Sequence, residues 1–256
     1  MITIKTPDEI KTLREGGRIL VRILDMVSKK TIPGVSTDEL NDYVNELCNK
    51  EDVIPVFLNY TPYGAKRAYP ASICISINDE VVHGIPNEQP RILREGDIVS
   101  LDMGISYKKL IVDSAITVGV GEIDEKAKRL LDITKKALEV GVNAVHEGVK
   151  TGDIGEAIES FVKKYKFAIA EDLGGHGVGY HVHEDPFIPN IGMKGQGPAL
   201  KEGMVIAIEP MLNEGTAKVY IDKDGYTIKT ADGKRSAHFE HTVAITKDGC
   251  EILTSL

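Results

Sequence analysis

Apolar residues fall at helical spacing in two long stretches of the chain, residues 7–28 and 123–145. In the first, Ile10, Leu13, Leu20, Ile23, Leu24 and Val27 make one stripe. In the second, Leu130, Leu131, Thr134, Ala137, Leu138 and Val145 do the same. The first stretch opens with Thr6-Pro7-Asp8-Glu9, a capping-box pattern with proline at the first helical position. Other apolar runs are short and rich in β-branched residues, such as Ile98-Val99-Ser100-Leu101 and Val205-Ile206-Ala207-Ile208, and these predict strands.

The pattern occurs twice. Setting each residue over the one 114 positions later brings Pro33-Gly34-Val35-Ser36-Thr37-Asp38-Glu39-Leu40 over Glu147-Gly148-Val149-Lys150-Thr151-Gly152-Asp153-Ile154. At an offset of 107, Arg94-Glu95-Gly96-Asp97-Ile98-Val99-Ser100-Leu101-Asp102 resembles Lys201-Glu202-Gly203-Met204-Val205-Ile206-Ala207-Ile208-Glu209. Each copy of the second motif is a Glu-Gly turn, then a strand, ending on a carboxylate. Two echoes in the same order predict an α/β (α+β) architecture of two helix-helix-strand halves, about 1–118 and 119–256, related by a pseudo-two-fold axis. No low-complexity linker separates the halves, so the expectation is a single domain over 1–256.

Composition narrows the class. The 256 residues are 42% hydrophobic and 27% charged, enough to bury a sizeable core, and the net charge is −8. An acidic chain argues against nucleic-acid binding, and no apolar run approaches a membrane span. The first residues lack the basic stretch and apolar block of a signal peptide. Cys48, Cys74 and Cys250 are odd in number and far apart, which fits a reducing compartment better than a disulfide framework. The expectation is a cytoplasmic protein.

Four carboxylates stand in strand-like surroundings. Asp102 and Asp113 flank a segment that reads as a β-hairpin. A turn centred between Tyr107 and Lys108 would set them directly opposite each other, Cβ atoms roughly 5 Å apart. A different register would leave both at a solvated edge. Glu209 ends one apolar run and Glu240 lies in His238-Phe239-Glu240-His241-Thr242-Val243-Ala244-Ile245, with no lysine or arginine in either. Carboxylates in such runs are rarely buried without a partner, and a bound cation would serve all four. The glycine-flanked His176, in Gly174-Gly175-His176-Gly177-Val178-Gly179, is a fifth candidate, since glycines let the backbone approach a metal or substrate. The spacing is not that of a dinucleotide loop. Four carboxylates and an imidazole suit two adjacent divalent ions such as Mn²⁺, Fe²⁺ or Co²⁺, with Zn²⁺ also possible.

At these residues the chain resembles the type I methionine aminopeptidases, members of the pita-bread fold. The matching segments are Cys74-Ile75-Ser76-Ile77-Asn78, Val81-Val82-His83-Gly84-Ile85-Pro86, Leu101-Asp102-Met103-Gly104, Val112-Asp113-Ser114-Ala115, Gly175-His176-Gly177-Val178-Gly179, His183-Glu184-Asp185-Pro186, Ile208-Glu209-Pro210-Met211 and Phe239-Glu240-His241-Thr242. The resemblance implies a curved antiparallel sheet flanked by the two helix pairs. It implies that Asp102, Asp113, His176, Glu209 and Glu240 hold two metal ions (Co, Mn, Fe or Zn). Asp113 and Glu240 would bridge, Asp102 would serve one ion, and His176 with Glu209 the other. Glu209 resembles the family's proton shuttle, His183 the group that binds the scissile carbonyl, and His83 the histidine near the scissile nitrogen. Tyr69, Cys74 and Tyr226, with His83 and His183, would contact substrate.

The implied activity is removal of the initiator methionine from nascent chains when the second residue is small, with the ribosome a candidate docking partner and a monomer expected. The interval of 31 positions from Glu209 to Glu240 leaves no room for the helical insert of the type II enzymes. Segment 59–69 looks longer than in many relatives. Val182 and Tyr226 replace aromatic and tryptophan side chains near the family's methionine pocket. The nearest alternative is an X-Pro aminopeptidase or prolidase of the same fold, which usually carries a further N-terminal domain. A non-catalytic peptide-binding relative would be expected to have lost metal ligands.

Overall fold

The computed structural model describes residues 1–62 and 64–255; Tyr63, within the 59–69 segment, and Leu256 lie outside the described residues. The periodic stretches are helices α1 (Pro7–Lys30) and, in the second half, Glu125–Asn143, which becomes α3 after α2 (Thr37–Lys50). The predicted capping box closes α1: Thr6 Oγ1 accepts from the Glu9 N–H at 3.3 Å, and the Glu9 carboxylate accepts from the Thr6 N–H at 2.8 Å. Asp124 caps α3, accepting from the Ala127 N–H at 2.8 Å. A shorter helix, α4 (Thr151–Val162), completes the second pair.

The strands of the first half are β1 (Ile54–Pro55), β2 (Cys74–Ile77), β3 (Glu80–Val82), β4 (Ile98–Tyr107) and β5 (Leu110–Gly119). The second half supplies β6 (Ala168–Ile169), β7 (Gly174–Gly177), β8 (Glu184–Pro189), β9 (Val205–Ile208) and β10 (Met211–Asn213). It continues with β11 (Val219–Ile221), β12 (Ile228–Thr230), β13 (Ser236–His238), β14 (Glu240–Thr246) and β15 (Gly249–Ile252). Nine of these form one antiparallel sheet in the order β1-β4-β5-β14-β9-β7-β8, with β2 on β4 and β15 on β14. Helix α1 packs on β4 and β5, and α4 on β8. Leu13, Leu20, Ile23, Leu24 and Val27 of α1 are buried in one apolar cluster; Leu130, Ala137 and Leu138 of α3 are buried in another. Both clusters include strands of the same sheet, which joins the halves.

The two echoes correspond to repeated hydrogen bonding. Ser36 bridges Ile92, and Lys150 bridges Ala199. The Gly34 N–H donates to Leu93 O at 2.9 Å, and the Gly148 N–H to Leu200 O at 2.8 Å. These pairs stand at the offsets of 114 and 107 read from the sequence. The turn glycines Gly96 and Gly203 also match, with φ of +89° and +84°, the left-handed region that glycine enters without strain. Asp102 and Glu209 thus occupy equivalent positions in the two halves.

The hairpin register differs from the expectation. Tyr107 pairs with Leu110, so the turn is Lys108-Lys109, and Asp102 faces Ala115 while Asp113 faces Gly104. Both lysines have positive φ, +49° and +70°, as in the two-residue turns whose twist matches that of the flanking strands. Tyr107 stays in the strand because it packs over Gly16 of α1, where an added Cβ would come within 3.1 Å of the tyrosine Cβ. A two-residue shift preserves which face each side chain takes. The aspartates therefore share a face as diagonal rather than directly opposed neighbours.

Candidate metal centre

Five neighbouring strands each deliver one candidate ligand. Across the order β4-β5-β14-β9-β7 these are Asp102, Asp113, Glu240, then Glu209 just past the end of β9, and His176. Register aligns them: Ala115 of β5 faces both Asp102 and Glu240, and His241 faces Ile208, next to Glu209. Gly177 pairs with Ile206, which sets His176 beside the end of β9. An added Cβ at Gly175 would lie 2.1 Å from Ala207 O, so only glycine lets β7 come this close.

The side chains converge on a cavity of about 370 Å³ whose wall includes all five, together with His83, His183, Tyr69, Cys74 and Tyr226. Asp102, Asp113 and Glu240 are buried, and one ligand atom each from Asp113, His176 and Glu240 lie within 4.8 Å of one another. His176 Nε2 is 3.4 Å from Glu209 Oε1. Its Nδ1 lies 2.9 Å from Gly177 O; a proton there donates to that carbonyl and leaves the Nε2 lone pair facing the carboxylates.

No lysine or arginine stands among the described residues of the cavity wall. Burial pushes the Asp113 and Glu209 carboxyls up to about 8, the Glu209 charge adding to the effect on Asp113. Burial, and then the neighbouring carboxylates, raise Asp102 and Glu240 well above the ordinary range. Burial lowers His176 to about 3, keeping its imidazole neutral. Glu240 Oε1 has no hydrogen-bond partner. Four carboxylates that resist ionisation, a neutral imidazole and an unpartnered buried oxygen fit a divalent cation, which would stabilise the ionised forms.

The substrate-side candidates gather on the same cavity. Tyr60 OH is 2.8 Å from His183 Nδ1, and the His183 ring stands edge-on to His176 at 4.5 Å between centroids. His83 has φ of +61°, and burial lowers its pKa to about 4. The Tyr69 hydroxyl donates to Gly84 O at 2.8 Å, fixing the turn that follows His83, and its ring meets Tyr226 edge-on at 5.2 Å. Tyr226 in turn donates to the Arg67 carbonyl. Val182 is buried in the first apolar cluster and is not part of the cavity wall.

His238 and Tyr60, which reach assigned residues of the site, carried no assignment from the sequence. His238, 1% exposed, places Nε2 3.4 Å from Glu209 Oε2, and neither ring nitrogen has a hydrogen-bond partner. It was visible two residues before Glu240, but β13 and β14 break at Phe239, so alternation gave no reliable face. Tyr60 reaches His183 from a loop across 123 positions of sequence and left no local signal.

Comparison with known proteins places this geometry. Residues 11–247 match the model of metallopeptidase family M24. The methionine aminopeptidase of Aquifex aeolicus is 46% identical over 259 residues, covering 100% of this chain and 99% of that protein. The crystal structure of methionine aminopeptidase from Thermotoga maritima superposes with a TM-score of 0.93 at 42% identity, covering 100% of both chains. A prolidase from Pyrococcus furiosus is more distant, with a TM-score of 0.72 and 25% identity; the match covers 99% of this chain and 65% of that one.

Proposed function

The chain belongs to metallopeptidase family M24, and from that premise we propose that it is a methionine aminopeptidase. It is a metal-dependent hydrolase that removes the initiator methionine from nascent proteins when the next residue is small. The observation that carries the reading is the convergence of Asp102, Asp113, Glu240, Glu209 and His176, from adjacent strands, on a cavity whose described wall has no cationic side chain. Full-length likeness to methionine aminopeptidases at 42–46% identity supports it over the prolidase alternative. Retention of all five ligands speaks against a non-catalytic relative.

In this reading Asp102, Asp113, Glu240, His176 and Glu209 would hold the divalent ions, with Asp113 and Glu240 serving both, Asp102 one, and His176 with Glu209 the other. When bound, the ions supply Lewis acidity that polarises the scissile carbonyl and acidifies water. An oxygen-rich set with one imidazole suits Mn²⁺, Fe²⁺ or Co²⁺, with Zn²⁺ also accepted.

The remaining steps belong to the chain's own groups. Glu209, held at its backbone by the Asn190 amide donating to its carbonyl at 3.0 Å, takes a proton from attacking water and returns one to the leaving amine. If the Tyr60 hydroxyl donates to Nδ1 of His183, the Nε2 carries the proton and can donate to the developing oxyanion. His83 lies toward the scissile nitrogen. Tyr69, Cys74 and Tyr226 form the wall against the methionine side chain.

The setting is the cytoplasm, with nascent N-termini as substrates, a monomer as the working form and the ribosome as a docking partner. Three free cysteines, and no helix among the described residues long and apolar enough to cross a membrane, support that setting. A single catalytic domain is supported by the one sheet shared between the two apolar clusters.

The test is a peptide panel. Met-Gly, Met-Ala and Met-Ser termini are cleaved, Met-Lys and Met-Leu poorly, and X-Pro peptides not at all. Comparable turnover of X-Pro peptides would move the assignment to the prolidase reading.

A further inference from the structure

We propose that Lys5 is a positioning residue for the reaction, holding His183 through a buried ion pair with Glu184. The inference rests on the role given to His183 above.

His183 ends the stretch between β7 and β8, where residues 180–183 lie outside the ladder that resumes with Glu184 opposite Gly177. The Glu184 side chain orders that stretch. Its Oε1 accepts the N–H groups of Tyr180 at 2.6 Å and His181 at 3.0 Å. Its Oε2 accepts from Lys5 Nζ at 2.8 Å and from the Thr3 hydroxyl. The Lys5 and Glu184 side chains are 1% and 2% exposed. The loop wraps the lysine closely: a Cβ added at Gly179 would lie 2.3 Å from Lys5 Cε, and Nζ sits 5.0 Å from the centre of the Tyr180 ring.

Lys5 is itself anchored. Its N–H donates to Gly203 O at 2.7 Å, in the turn that leads into β9 and so to Glu209. Ile2 forms a parallel bridge with Asp185, two residues past His183. The N-terminal segment therefore connects the turn before the proton shuttle to the loop carrying the oxyanion donor.

A buried ion pair contributes little net stability, because desolvation offsets the Coulomb attraction, and an apolar pair of equal volume would hold the fold as well. What this pair adds is direction. With Lys5 on Oε2, Oε1 is left turned toward the Tyr180 and His181 N–H groups, which sets the path of residues 180–184 and with it the His183 imidazole.

The test is a cycle on metal-loaded enzyme with a Met-Ala-Ser peptide: wild type, Lys5→Met, His183→Ala and the double variant. Lys5→Met is expected to lower kcat about tenfold or more, as a misplaced catalytic group does, with metal content unchanged and KM little altered. In the His183→Ala background the same substitution should cost nothing further. The imidazole ¹⁵N spectrum of metal-free protein gives a second readout. His183 signals, identified by their absence in His183→Ala, should move or broaden in Lys5→Met. Should Lys5→Met fail to fold, Thr3→Val is the milder substitution and should show the same pattern at smaller size. A kcat close to wild type, or a loss that adds in full to that of His183→Ala, would overturn the proposal. Wild-type kcat in His183→Ala would instead overturn the role of His183, and the ¹⁵N spectrum would still decide whether Lys5 positions its ring.

Discussion

At the scale of single residues, the carboxylates were legible because each sits where an apolar strand needs no charge. Asp102, Asp113, Glu209 and Glu240 were conspicuous for that reason, and the structure brings all four into one cavity wall. Residues whose role depends on a distant partner were not legible. Tyr60, His238 and Lys5 look ordinary in sequence, and only the fold brings them to His183, Glu209 and Glu184. His183 allows a direct test. Replacing it with alanine removes one donor to the oxyanion and should lower kcat about 10²-fold. Metal content, measured by atomic absorption, should not change; loss of metal in parallel with activity would place His183 among the ligands instead.

At the scale of elements, helices read well, and the hairpin read correctly in place but not in register. Stripes such as Leu13, Leu20, Leu24 and Val27, with a capping box ahead of them, specify a helix locally. The turn Tyr107-Lys108-Lys109-Leu110 contains no glycine or asparagine, so nothing in it marks the two residues with positive φ. Register was settled instead by contacts outside the hairpin, with Tyr107 over Gly16 and Lys108 paired to Glu15 at 3.0 Å. Short strands such as β10 and β13 are likewise made by their partners rather than by their own pattern. Lys109, with φ of +70°, carries strain that glycine would not. Lys109→Gly should stabilise the fold by about 1 kcal/mol in urea unfolding, with turnover of Met-Ala-Ser unchanged. A lower urea midpoint would contradict the assigned turn.

At the scale of the whole molecule, the duplicated architecture was legible because its turns repeat, while the convergence of ligands depends on β14 lying between β5 and β9. That convergence has a global consequence. In metal-free protein, Asp113 and Glu209 keep protons up to about pH 8, whereas in the unfolded chain they lose them near 4. The folded state then holds more protons than the unfolded one, so stability falls as pH rises through that window. Buried His176 and His238, lowered to about 3, and His83 and His241, lowered to about 4, act in the opposite sense. Their effect fades above pH 6.5, where half of the unfolded histidines have lost their protons, and is largely gone about one unit higher. Between about pH 7 and 8 the carboxylates dominate, each lowering stability by up to about 1.4 kcal/mol per pH unit. The melting temperature of stripped protein should fall over that range, less steeply for Asp113→Asn, and Mn²⁺ should flatten the slope; a flat or rising profile without metal would contradict the buried-carboxylate account. The central claim is that these five side chains make a metal centre for methionine removal, and one titration tests it most directly. Stripped protein is loaded stepwise with Mn²⁺ or Co²⁺ while bound metal and methionine released from Met-Ala-Ser are measured together. The account predicts negligible release without metal, a rise that tracks occupancy, and no rise in Asp113→Asn. Full release from stripped protein, or from the variant, would contradict it.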